Sequence, residues 1–219
     1  LAKVAPEAAE AAKLRRQNQE LIQGKVLWEN ENAKMKLKLA ADQSQQLLEY
    51  FLKYLAWQHD EVILHGQYYK TDRKVVWYGN ENFQYHYSGM AKQAHTWNPL
   101  LLRLKEQVEE ITGHSFNSCL ANLYEDGTQG VGWHSDDEPS LMIEGHETVI
   151  ASLSLGATRK FRFKHKFKTE TAEVMLHAGQ MIVMKGQTQR YWKHMITKST
   201  KVIEPRINLT FRYFFQNKN

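Results

Sequence analysis

Leu47, Leu48, Phe51, Leu52 and Leu55 recur at the spacing of a one-faced helix, and the pattern predicts a core-packing helix there. A second helix carries its own punctuation. Asn98 suits a cap, Pro99 a first turn and Gly113 the position just past the end, while Leu100, Leu101, Leu104, Val108 and Ile111 fall on one side. After Gly113 the period shortens to two over residues 119–124, 148–155, 159–168, 173–176, 181–185 and 206–214, which predicts strands. Short strands joined by Gly-containing turns, too close together for crossover helices, favour an antiparallel barrel or a double-sheet jelly roll over a parallel sheet. The fold class is therefore α+β, dominated by β, with flanking helices.

Residues 1 to about 25 read differently. They are rich in Ala, Glu, Lys, Arg and Gln, Pro6 and Gly24 bracket a helix, and the apolar positions make no clean stripe. The organisation expected is a helical extension over 1–40, solvated or partner-contacting, followed by one main domain over 41–219. The full 219 residues are enough to bury roughly 70% of the unfolded surface without staples. The single Cys119 excludes an internal disulfide and points to a reducing, intracellular compartment, cytoplasm or nucleus. No apolar run is long enough to span a membrane, and the first residues lack a signal-peptide core. A net charge of +5 suggests an anionic partner.

His134 and Asp136 form an H-x-D pair, and the period of a strand puts both side chains on one face. Alone the pair says little, because His59 and Glu61 repeat the spacing. Downstream, Arg206, Asn208, Thr210 and Arg212 line one face of a strand while Ile207, Leu209 and Phe211 line the other. Such a face is either an exposed edge or the wall of a polar cavity, where guanidinium groups would fix a small dicarboxylate through paired hydrogen bonds. His194, upstream of Arg206, offers a third ligand. Two His and a carboxylate on one side of a metal leave open positions, the arrangement of non-haem Fe(II) oxygenases. By spacing alone His146, His165 and His177 are equal rivals for the third place.

Five stretches carry a resemblance: NLY at 122–124, WHSDDE at 133–138, IASLSLGATR at 150–159, WKH at 192–194 and PRINLTFR at 205–212. Collinear from about 75 to 213, they resemble the AlkB family of Fe(II)/2-oxoglutarate dioxygenases, most of all its nucleic-acid repair branches. The resemblance implies a double-stranded β-helix with Fe(II) on His134, Asp136 and His194. It implies that Arg206, helped by Tyr124 and Asn208, binds the far carboxylate of 2-oxoglutarate, with Asn122 and Arg212 near the metal-side carboxylate. Strand periodicity agrees in placing Asn122 and Tyr124 on one face. Residues 60–97 would form a nucleotide-recognition lid, in which Tyr87 and the His134 ring stack the base while Tyr85, Arg73 and Glu138 contact its surroundings.

The activity implied is oxidative demethylation of bases such as N1-methyladenine and N3-methylcytosine, a direct-reversal repair of DNA. Fe(II), 2-oxoglutarate and O2 would be consumed or used, and formaldehyde, succinate and CO2 released. An RNA or tRNA base demethylase is the alternative within enzymes, and a non-catalytic nucleic-acid-binding β-helix the alternative outside them. The expected partner is nucleic acid, with no membrane, and the expected state is a monomer.

Two further tracts bear on the substrate. Lys160, Arg162, Lys164, Lys166 and Lys168 alternate with aromatic residues, as either a solvated strand over a buried Phe face or a phosphate-neutralising stripe would. Arg73, Lys74, Trp77, Tyr78, Tyr85 and Tyr87 mix cations with rings, which fits base stacking as well as core packing. His65 and Gly66 fall where some AlkB relatives place an apolar or aromatic wedge, an arrangement that leans towards single strands or flexible duplexes as substrates.

Overall fold

A computed structural model describes residues 33–39, 41–64, 66–81, 83–87, 90–141 and 148–215. The helix expected near the N-terminus, His65 and His146 lie outside them. In chain order the elements are β1 (Ala33–Lys38), α1 (Ala41–Tyr54), β2 (Gln58–Leu64), β3 (Gln67–Gly79), β4 (Gln84–Tyr87), β5 (Met90–Gln93), β6 (His95–Thr96) and α2 (Pro99–Thr112). There follow β7 (Ser118–Tyr124), β8 (Val131–His134), β9 (Ile150–Gly156), β10 (Arg159–His165), β11 (Thr171–Leu176), β12 (Gln180–Met184), α3 (Thr188–Tyr191), β13 (Trp192–Ile196) and β14 (Arg206–Arg212).

Helix α2 starts and stops as its punctuation requires. The Asn98 side chain accepts from the Leu100 and Leu101 N–H groups at 3.0 and 3.3 Å. Gly113 closes the helix at φ 71°, a left-handed conformation that costs glycine little. One position of the expected stripe is corrected. Ile111 is exposed and Thr112 is buried in its stead, its hydroxyl donating to the Val108 carbonyl at 2.7 Å. Four residues after Val108, Thr112 keeps the helical period better than Ile111 does.

Seven strands form the path β1-β12-β9-β14-β7-β3-β2, and β6 adds parallel to β3, making eight. A smaller sheet has the order β11-β10-β13-β8, and β4 pairs with β5. The other described pairings are antiparallel. This is the two-sheet jelly roll expected. Ala33–Lys38, which fall within the stretch read as an extension, pair with β12 and so belong to the edge of the larger sheet. Strands β2, β3, β8 and β13 carried no clear sequence signal. The first half of β3 is largely exposed and β8 has only 4 residues, so neither shows a full alternation.

Leu47, Leu48 and Phe51 of α1 and Leu101, Leu104 and Val108 of α2 join the outward apolar face of the larger sheet in one core. A second cluster fills one part of the space between the sheets, with Phe161 and Phe163 against Ile150, Ile182 and Met184. The central strands β7, β9 and β14 are thus buried on both faces, which leaves room for a polar inner face. At the corner before β14, Gly156 adopts φ 81°, and a Cβ there would lie 2.3 Å from the Pro205 carbonyl oxygen. Among the described residues no helix is long and apolar enough to cross a membrane.

Candidate active site

A cavity of about 200 Å³ opens between the sheets. The larger sheet contributes Val75 and Trp77 of β3, Asn122 and Tyr124 of β7, Ser152 of β9, and Asn208, Thr210 and Arg212 of β14. The smaller contributes Val131 and His134 of β8, Phe161 of β10, and His194 and Ile196 of β13.

Register brings the metal-ligand candidates together. β13 pairs with β8 so that His194 stands opposite His134, and Asp136 follows two residues beyond. One donor atom from each of His134, Asp136 and His194 lies within 4.8 Å of the others. The His134 Nδ1 donates to the Gly132 carbonyl oxygen at 2.8 Å, so Nε2 is the ring nitrogen left to face a metal. Burial drives the His194 ring down to about 3 against the pull of Asp136, which keeps it neutral at physiological pH. Its Nε2 lies 3.9 Å from Asp136 Oδ2, and its Nδ1 has no hydrogen-bond partner among the described residues. Burial is the largest influence on Asp136 and opposes its ionisation, but the positive groups around it, Arg212 foremost, together outweigh burial and hold the carboxyl below the usual range. Arg212 Nη2 donates to Asp136 Oδ1 at 3.0 Å, and the Asp136 N–H donates to Gln189 Oε1 at 2.9 Å. One carboxylate oxygen is therefore occupied and the other faces the histidines. Two imidazoles and an ionised carboxylate at one wall of a cavity fit Fe(II).

At the other end Tyr124 and Asn208 form the wall, with Arg206 behind them. Arg206 is wholly buried. Its Nη2 donates to Ser154 Oγ at 2.9 Å and Asn208 Oδ1 at 3.1 Å, while Nε and Nη1 have no partner among the described residues. Burial lowers its pKa only to about 10, so it stays cationic. A buried cation with unused donors is costly in isolation, and a carboxylate would satisfy it. Asn208 is itself held by Ser152 Oγ at 3.0 Å and by Thr210 Oγ1 at 2.8 Å, a network that orients its amide. A second buried guanidinium, Arg159, stands against the other side of this corner, 5.7 Å from the Tyr124 ring. It donates to the Gln129 and Thr197 carbonyls at 2.6 and 2.7 Å.

Of the expected substrate residues, Arg73 and Glu138 line the cavity. Arg73 is ion-paired to Asp60, a wall residue that the sequence reading passed over between His59 and Glu61. Burial pushes the Glu138 carboxyl up despite the nearby Arg212 charge, and its Oε2 has no partner among the described residues. Tyr85 and Tyr87 lie on β4, opposite Lys92 and Met90, but their side chains fall outside the described residues. His59 bonds Thr71, His177 bonds Thr158, and His165 serves a turn, so none of these joins the metal set. The basic tract is corrected: β10 ends at His165, and only Lys160, Arg162 and Lys164 share its outer face. Lys160 and Arg162 meet Glu173 at 2.8 and 3.7 Å, Lys166 meets Asp137 at 2.9 Å and Lys168 meets Glu170 at 3.5 Å. Lys74 is likewise tied to Glu125, at 2.6 Å.

Residues 34–212 match the 2OG-Fe(II) oxygenase superfamily. The chain is 40% identical over 179 residues to alpha-ketoglutarate-dependent dioxygenase alkB homolog 3 of Bos taurus, covering 78% of this chain and 61% of the relative. With DNA oxidative demethylase ALKBH2 of Mus musculus it shares 35% over 182 residues, covering 80% of this chain and 73% of the relative. The chain thus spans about three fifths of the length of the alkB homolog 3 relative. Its fold is like that of OsALKBH1, with a TM-score of 0.60 at 17% identity, covering 84% of this chain and 99% of that structure.

Proposed function

Because the chain belongs to the 2OG-Fe(II) oxygenase superfamily and, within it, to the AlkB family, we propose that it is an Fe(II)- and 2-oxoglutarate-dependent dioxygenase that removes methyl groups from nitrogen atoms of DNA bases. N1-methyladenine and N3-methylcytosine are the substrates, and formaldehyde, succinate and CO2 the by-products. The observation that carries this reading is a His134, Asp136 and His194 cluster in a cleft whose opposite wall, Tyr124 and Asn208, is backed by a buried, incompletely satisfied Arg206.

Bound Fe(II), with 2-oxoglutarate and O2, supplies the oxidation of the methyl carbon. The chain's own part is placement. His134, Asp136 and His194 would hold the metal, and Arg212 fixes Asp136 by occupying one of its carboxylate oxygens. Arg206, with Tyr124 and Asn208, takes the far carboxylate of 2-oxoglutarate, while Asn122 and Arg212 stand by the near one. Arg73, Tyr85, Tyr87 and Glu138 receive the base, residues 60–97 act as the lid, and residues 41–219, with Ala33–Lys38 added at the sheet edge, carry the reaction. A methyl on the pairing edge of a base is out of reach inside a duplex, so the base must leave its stack, at a cost of a few kcal/mol. Single strands avoid that cost. The protein acts as a monomer inside the cell, in keeping with a lone, buried Cys119 whose thiol burial pushes up.

Mass spectrometry of methylated DNA and RNA oligonucleotides, incubated with the protein, Fe(II) and 2-oxoglutarate, tests the reading. Loss of the methyl from DNA with matching succinate is expected. Demethylation of RNA alone would move the substrate to RNA, and binding without succinate would leave a non-catalytic binder.

A further inference from the structure

The tip of the β10–β11 hairpin leaves a large apolar side chain in water on a rigid frame. Phe167 is 77% exposed. The turn beneath it is held by His165, whose Nδ1 accepts from the N–H groups of both Phe167 and Lys168 at 3.1 Å. The Lys166 N–H donates to the Tyr191 carbonyl at 2.7 Å. Lys166 Nζ reaches Asp137 at 2.9 Å and the Gln189 carbonyl at 2.8 Å. Since Asp137 follows the metal-ligand candidate Asp136, these bonds fix the tip beside the cavity. A ring that only needed burial would fold back onto its neighbours, but this one is presented outward by a turn with little freedom.

Two neighbouring features say what it meets. The Tyr191 ring lies 6.4 Å from Phe167 in a T-shaped contact and stacks on His165 at 6.0 Å and 11°. Together they make an aromatic shelf. Beside it Lys164 stands directly opposite Lys193 in the register of β10 and β13. Their neighbours Phe163 and His194 are buried, so both lysines face outward. Like charges directly opposite across strands cost stability, and a phosphate between them would remove that cost. A ring for a base face and cations for the backbone are what hold single strands, whereas a continuous duplex hides its base faces.

We propose that this hairpin corner binds single-stranded DNA next to the base being demethylated, with Phe167 stacked on a flanking base and Lys164 and Lys193 on a phosphate. The proposal rests on the DNA demethylase reading above. It adds a docking point outside the catalytic cleft.

Fluorescence anisotropy with a short unmethylated single-stranded DNA oligonucleotide tests it without turnover. Phe167→Ala should weaken binding about tenfold, within the range of one stacked base, and Phe167→Trp should preserve it. Melting temperature and succinate formation without oligonucleotide should stay as in the wild type, because Phe167 touches none of the metal set. Unchanged affinity in Phe167→Ala overturns the proposal, as does a change only in self-association by sedimentation, which would make the shelf a contact between copies. Formaldehyde release from a methylated oligonucleotide separates the two readings. A wild type that binds through Phe167 but releases none would sink the demethylase and leave the docking point standing. Normal release together with an indifferent Phe167→Ala would do the reverse.

Discussion

Strands β10 and β14 share a binary pattern, apolar residues alternating with cations or other polar groups, yet they turn opposite faces inward. In β10 the aromatic face, Phe161 and Phe163, is buried between the sheets and the cations stand outside against Glu173. In β14 Arg206, Asn208 and Thr210 are buried between the sheets, while Ile207, Leu209 and Phe211 pack outward in the core with α1 and α2. The difference lies in what covers the other side. Helices over the larger sheet give its apolar face somewhere to go, which frees the inner face for polar groups. Among the described residues no helix packs on the outer face of β10, so its apolar residues take the inside. The polar cleft is therefore a consequence of where the helices pack.

The strongest way to break this comparison is to take a carboxylate from a cation on each side. Asp136→Ala deprives Arg212 inside the cleft and removes a metal-ligand candidate, so demethylation should fall by at least about 100-fold, more than the loss of an outer partner costs. The same assay on Glu173→Ala, which deprives Lys160 and Arg162 outside, should read as wild type. Retained turnover in Asp136→Ala would take the residue out of the site.

Exchanging guanidinium for ammonium sharpens the contrast at smaller amplitude. Arg206→Lys keeps the charge and loses the planar fork, so the 2-oxoglutarate KM should rise about 10- to 100-fold, the worth of a charged hydrogen bond or two. Arg162→Lys should leave that KM where it was. An Arg206→Lys enzyme with normal co-substrate dependence would show that the carboxylate is held elsewhere.

Stability should respond to the apolar face of β14. Leu209→Ala opens a hole in the core beneath the helices and should cost about 2–5 kcal/mol in urea denaturation. Smallest of all, Lys160→Gln breaks an exposed pair and should change stability by less than about 0.5 kcal/mol. A large loss there would mean that the outer face is structural after all.

The capped helix α2 and the strands around β7, β9, β10, β12 and β14 could be read from the sequence, because caps and alternation are local. Part of the site was legible for the same reason. His134 and Asp136 announce themselves by spacing, and the polar face of β14 by its period. The third ligand was not settled by spacing, since His146, His165 and His177 are the same kind of residue at comparable distances. His194 earned its place through the AlkB resemblance, and physically through the register of β13 on β8. Asp60 was missed because the H-x-E spacing drew attention to its two neighbours. A register shift in β2 between those neighbours accompanies its place at the cavity wall.

Sequence alone determined which side chains share a face of each strand, because the pleat sets that residue by residue. It also determined that two arginines on one such face would need anions. Tertiary structure decided which face is the inside, that Arg206 ends up buried with donors to spare, and that most of the basic tract is taken up by the protein's own carboxylates. Those outcomes depend on helices and strands far away in the chain, and no alternation within a single strand encodes them.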